Sequence, residues 1–141
     1  MEAINKTAIT VQTTIKAPIA KVWQYWTEPE HIKSWCHATD DWQAPYAENN
    51  LQTGGKFVTT MAAKDGSMSF DFAGTYDTVN KHELIEYTLT DGRKVSIRFS
   101  GLDGETQVTE TFEAEDTHPL EMQRSGWQAI LDNFKNYTET H

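Results

Sequence analysis

From Ile9 onward the chain alternates. Ile9, Val11, Thr13 and Ile15 fall on one side, and Thr10, Gln12, Thr14 and Lys16 on the other. A period of two predicts a first strand with one buried face. Ala17-Pro18 ends it. Ile19, Val22, Trp23 and Trp26 then recur at helical spacing, which predicts a short helix over Pro18–Thr27 with Pro18 at its first position. Thr27 is placed to cap a second helix, with Pro29 and Glu30 in its first turn and Ile32 and Trp35 turned inward. Between Cys36 and Thr53 no period holds, and Pro45, Asn49 and Asn50 interrupt it. That segment reads as a long loop with a short strand near Trp42, a candidate lid or pocket rim.

After Gly54-Gly55 the two-residue period returns in five runs, Lys56–Ala62, Ser67–Asp77, Glu83–Thr90, Lys94–Ser100 and Thr106–Ala114. Asp65-Gly66, Asp91-Gly92 and Asp103-Gly104 separate neighbouring runs, and Asp-Gly is a strong hairpin signal. The chain then changes period once more. Leu120, Trp127, Ile130, Leu131, Phe134 and Tyr137 form one apolar stripe on a helix of about five turns, opened by His118-Pro119. Its other face carries Glu121, Arg124, Gln128, Asp132, Lys135 and Glu139, with Asp132–Lys135 and Lys135–Glu139 spaced to pair. The order predicts a single α+β domain over 1–141. In it a curved antiparallel sheet of six to seven strands grips a long C-terminal helix, with two short helices after the first strand.

Alternation also assigns faces. Phe57, Thr59 and Met61 share one side, as do Met68, Phe70, Phe72 and Tyr76; Ile85, Tyr87, Leu89, Val95, Ile97 and Phe99 continue it toward the helix. Asp71, Glu86, Lys94, Ser96, Arg98, Gln107 and Thr109 face water. One inward position breaks the rule, because Glu110 lies between Val108 and Phe112. The hairpins place Tyr87, Val95 and Glu110 in roughly one cross-strand row, with Arg93 as a diagonal neighbour. A lone inward carboxylate is costly to desolvate. Glu110 is therefore either one half of a structural pair with Arg93 or Tyr87, or a polar anchor in a cavity. Gly126, which weakens the helix by about 1 kcal/mol relative to alanine, marks either a close approach of the sheet or room kept for a cavity.

Composition narrows the function. A net charge of −9, with no local basic cluster, excludes nucleic acid and anionic membranes as natural partners. One cysteine, Cys36, allows no internal disulfide and suits a reducing compartment; with no apolar leader or spanning run, the expected location is the cytoplasm. There the sequons at Asn5 and Asn136 carry no meaning. Five Trp, five Tyr and six Phe can fill a core or line a cavity, and the count alone does not decide between them. Cys36-His37 lacks an orienting third group and points its two side chains apart, so it reads as an inert thiol. His31, His37, Asp40 and Asp41 match no metal-ligand spacing, and Gly54-Gly55-Lys56 opens a strand rather than a helix. No catalytic residue, metal or cofactor is expected.

Ile15-Lys16-Ala17-Pro18, Lys21-Val22-Trp23, Thr27-Glu28-Pro29-Glu30 and Trp35 resemble the opening of the START-like, birch-pollen-allergen-like (SRPBCC) helix-grip superfamily. More narrowly, they resemble the homologues of the activator of heat-shock protein 90 ATPase. Gly74-Thr75-Tyr76, Gly92-Arg93-Lys94-Val95, Thr106-Gln107-Val108-Thr109 and the ending Met122, Gly126-Trp127, Ile130-Leu131 and Phe134 carry the likeness along the chain. The resemblance implies a cavity between sheet and helix that holds apolar small molecules, and it supplies no catalytic set. An apolar or aromatic ligand is then expected against Phe57, Met61, Phe70, Phe72, Tyr87 and Phe99 on the sheet and Met122, Gly126 and Ile130 on the helix. Arg93 and Glu110 would orient its polar end. Two rival expectations stand beside this one. The first is a cyclase- or dehydratase-like enzyme working through Glu110. The second is a chaperone-associated, stress-related module whose outer surface matters.

Overall fold

The structure, a computed structural model, describes residues 7–141; the sequon at Asn5 lies outside them. Its strands are β1 (Ala8–Ile15), β2 (Trp42–Asn49), β3 (Lys56–Ala63), β4 (Ser69–Asn80), β5 (Leu84–Leu89), β6 (Lys94–Leu102) and β7 (Glu105–Glu113). Its helices are α1 (Ile19–Thr27), α2 (Pro29–Trp35) and α3 (Leu120–Thr140). The strands form one curved antiparallel sheet in the order β1-β7-β6-β5-β4-β3-β2. β1 and β2 are therefore the two edges, and α1 and α2 carry the chain from one edge to the other. The architecture is the α+β helix grip expected from the pattern.

Four local details depart from the sequence reading. β2 is a full strand of eight residues, where a loop with a short strand was expected. Its pairing with β3 shifts register between Gln43 and Tyr46, the stretch that holds Pro45. Proline is tolerated on an edge strand at such an irregularity because no ladder bond is needed there. Second, Thr27 does not cap α2. Its hydroxyl donates back to the Trp23 carbonyl at 2.8 Å, and Glu28 occupies the cap position. Third, Met68 precedes β4 and is exposed, as is Leu120 in the first turn of α3. Both lie beyond the reach of the packed interface. Fourth, Asp132 accepts from Gln128 rather than pairing with Lys135, which binds Glu139 at 2.6 Å.

The β6–β7 hairpin corrects the expected row around Glu110. Asp103 and Gly104 both adopt positive φ, 54° and 80°, as a two-residue type I′ turn requires. Leu102 therefore faces Glu105, and counting back along the ladder sets Glu110 opposite Ile97, with Val95 opposite Phe112. Tyr87 does face Val95, so Glu110 sits one inward step away from the row it was assigned to.

The polar face of α3 closes the sheet's first edge. An edge strand presents unpaired backbone groups that invite other chains. Here Arg124 donates to the carbonyl of Thr10, Gln128 to that of Gln12 and Lys135 to that of Thr14, while the Lys16 amide donates to Glu139. Helical and strand periods thus run in step along β1. The C-terminal half of the helix packs densely. Phe134 is fully buried with its ring 4.8 Å from both Trp26 and Trp35, and Leu131 and Thr138 are buried beside it.

Candidate functional site

Under the N-terminal half of α3 the packing opens into a cavity of about 460 Å³. Its sheet wall follows from alternation: Phe57, Thr59 and Met61 of β3, Phe70, Phe72 and Tyr76 of β4, Ile85 and Tyr87 of β5, and Glu110 of β7 all point to it. Its helix wall is made by Met122, Gly126 and Ile130, four residues apart, with Gln123 and Trp127 beside them. A Cβ added at Gly126 would meet nothing within 4 Å, so this glycine borders open space rather than a close backbone approach. The far end is closed by Trp26, Ile32, Trp35 and Cys36 of the α1–α2 region.

The walls are ordered rings. Phe57 lies 4.7 Å from Tyr87 and 5.1 Å from Tyr76, and Trp127 stacks on Phe112 at 3.8 Å with planes 9° apart. Of the eleven residues expected at a ligand site, Phe99 alone is absent from the cavity. It is buried against Trp23 and Trp26 instead, at 5.2 and 5.8 Å. Alternation gives the face of a strand but not the depth along it, and α1 covers that end of β6.

Polar groups collect at two places. On the floor, Glu110 is only 7% exposed. Among the described residues none hydrogen-bonds or ion-pairs with its carboxyl, and burial pushes its pKa from the ordinary 4.5 up to about 8. Arg93, one of the two partners the pattern offered, is held by Asp91, with Nε 2.9 Å from Oδ2, at the cavity's edge. Tyr87 is buried, and its phenol is raised well above 10 by burial first and by Glu110 second. The Cys36 thiol is raised to about 12 for the same two reasons, which fits an inert group. All three side chains therefore keep their protons at neutral pH.

The second polar group is the rim, formed by the segment before α3. Gln123 is buried and clasps that segment. Its Oε1 accepts from the Glu115 amide, and its Nε2 donates to the Glu115 and His118 carbonyls. The Glu115 carboxylate accepts from the Thr117 and His118 amides and from His118 Nδ1, which holds it below the usual carboxylate range. Met122 and Phe70 stand at the mouth, about half exposed. Sequence reasoning had no signal for Gln123, Glu115 or His118, because their roles come from a turn rather than a period. Cys36 was visible only as an isolated thiol.

A curved sheet around a helix, hollow at one end, defines a helix-grip domain of the ligand-binding type. Residues 16–139 match the family described as Activator of Hsp90 ATPase homolog 1-like protein, and the chain belongs to that family. Among solved structures, an AHSA1-like protein from Aeromonas hydrophila is 41% identical over 95% of this chain and 93% of its own, with a TM-score of 0.89. A protein from Cytophaga hutchinsonii is 57% identical over 96% and 93%, with a TM-score of 0.82. A third, from Chromobacterium violaceum, shares the fold at a TM-score of 0.85 with 20% identity over 94% and 98%. No curated protein matches.

Proposed function

We propose that this protein binds an apolar or aromatic small molecule between the sheet and the first half of α3. The observation that carries the reading is the aromatic cavity of about 460 Å³, within the size range of small-molecule sites. Its walls offer shape and apolar burial, and its few polar groups are gathered at the floor and the rim. Trp26, Trp35 and Trp127 line it, so occupancy should change tryptophan emission. Titration with 2-ethylnaphthalene and with a medium-chain fatty acid tests the reading. Saturable quenching by either supports it; unmoved emission and amide spectra with both would remove it.

An enzymatic reading is favoured by one observation, the Glu110 carboxyl poised near pH 8 beside the Tyr87 phenol. It requires that Glu110→Gln abolish turnover of a carbonyl substrate, and unchanged turnover would end it. A cytoplasmic location belongs to the binding proposal, and a chaperone-associated, stress-related module working through its outer surface remains the rival to it. A pull-down against an unrelated control protein tests the chaperone. Among the described residues, no helix is long and apolar enough to cross a membrane.

A further inference from the structure

The cavity floor is chemically one-sided. Glu110, Tyr87 and Cys36 converge there from β7, β5 and the end of α2, close enough for the Glu110 charge to act on both of the others. Among the described residues, none of the three side chains has a hydrogen-bond partner. Two other polar side chains of the cavity wall are satisfied: the Tyr76 hydroxyl donates to Asn49 and the Gln123 amide is bonded three times. The unpaired polar groups on the floor would gain a partner from a ligand atom.

Building on the binding reading above, we infer that the floor takes a neutral hydrogen-bond acceptor, a ketone or aldehyde oxygen at the end of an aromatic ligand, with Glu110 and Tyr87 donating to it. Three arguments favour an acceptor over an ammonium group. At neutral pH the Glu110 carboxyl and the Tyr87 phenol both carry protons, so the floor has donors to offer and no net charge. A ligand cation would first have to expel the Glu110 proton. Arg93 is the one cation among the groups whose charge acts on Tyr87, and a cation favours the negative end of a carbonyl dipole over an ammonium group.

The other titratable groups around the cavity are accounted for. Tyr76 of β4 is committed to Asn49, and Arg93 is held by Asp91. Glu115 and His118 bind each other at the rim. Among the described residues, β3, β6 and α3 present no ionisable side chain to the cavity.

The test compares three naphthalenes of similar shape, 2-acetylnaphthalene, 2-ethylnaphthalene and 2-(aminomethyl)naphthalene, by calorimetry or tryptophan quenching. At pH 6.5 the ketone should bind about tenfold tighter than the hydrocarbon, the worth of one buried hydrogen bond. At pH 9.5, where Glu110 is ionised, that preference should collapse. Glu110→Gln keeps a donor that does not titrate, so it should keep the ketone preference at both pH values. Glu110→Leu, which leaves Tyr87 as the one donor, should cut the ratio of ketone to hydrocarbon affinity severalfold at both pH values. Equal binding of ketone and hydrocarbon at pH 6.5 would overturn the inference and leave the binding reading standing. So would tighter binding of the amine, which would make Glu110 an anionic counter-ion. If none of the three binds, the binding reading fails and takes this one with it.

Discussion

The two halves of α3 start from the same stripe and end differently. Past Ile130 the helix is sealed, with Leu131, Phe134 and Thr138 exposed by 1% or less. Before it, Met122 is 59% exposed, and Gly126, Trp127 and Ile130 border open space. The sheet is continuous beneath both, so the sheet does not make the difference. What differs is the third layer. Trp23, Trp26 and Trp35 of α1 and α2 fill the space beside Phe134 and Phe99, whereas among the described residues no ring of α1 or α2 meets a ring of β3 or β4. A helix grip is closed where a second helical element supplies rings, and hollow where none does.

The largest test of this contrast is truncation of one residue in each half. Phe134→Ala should destabilise by about 3–5 kcal/mol, because a fully buried ring leaves a void that cannot collapse. Ile130→Ala, on the cavity wall, should lose much less, since the space beside it is already open. Equal losses in denaturant melts would remove the distinction between the halves.

The next effect is stability against pH. The Glu110 carboxyl titrates near 8 in the folded chain and near 4.5 in the unfolded one. The folded state therefore holds the extra proton between those values, and stability falls as pH rises from about 4.5 through 8. Glu110→Gln removes the titration, so it should be more stable than the parent by a few kcal/mol above pH 8 and equal to it near pH 4. Melting temperatures across that range check the sign; a difference that grew toward acid would contradict it.

Smaller still is the effect at Gly126. Alanine there meets no atom and regains helix propensity, so Gly126→Ala should stabilise by up to about 1 kcal/mol. Gly126→Leu should fill the hollow half and abolish probe binding in a folded protein. The smallest change is Gln128→Ala, which frees one carbonyl of the β1 edge for water and should cost about 0.5–1 kcal/mol.

Much of this architecture was legible as period. The meander, its three Asp-Gly turns and the C-terminal helix followed from alternation and spacing, and Glu110 stood out because it broke an apolar face. β2 was hidden because Pro45 and the register shift beside it erase alternation on a strand paired on one side only. The Glu110 row was misjudged by one inward step, since pairing depends on turn length residue by residue. Alternation alone left Glu110 between a pair with Arg93 or Tyr87 and an anchor in a cavity, because it does not show that a nearer carboxylate, Asp91, holds Arg93 within its own turn. Phe99 was assigned to the cavity since a strand's period carries no information about which helix will cover its end.

The hollow half itself is the central claim. Amide chemical shifts recorded during titration with 2-ethylnaphthalene test it most directly. Perturbations should concentrate in residues 57–61, 70–76 and 122–130, leave 131–140 largely unmoved, and vanish in Gly126→Leu. Absent shifts, or shifts spread equally over both halves of α3, would contradict it.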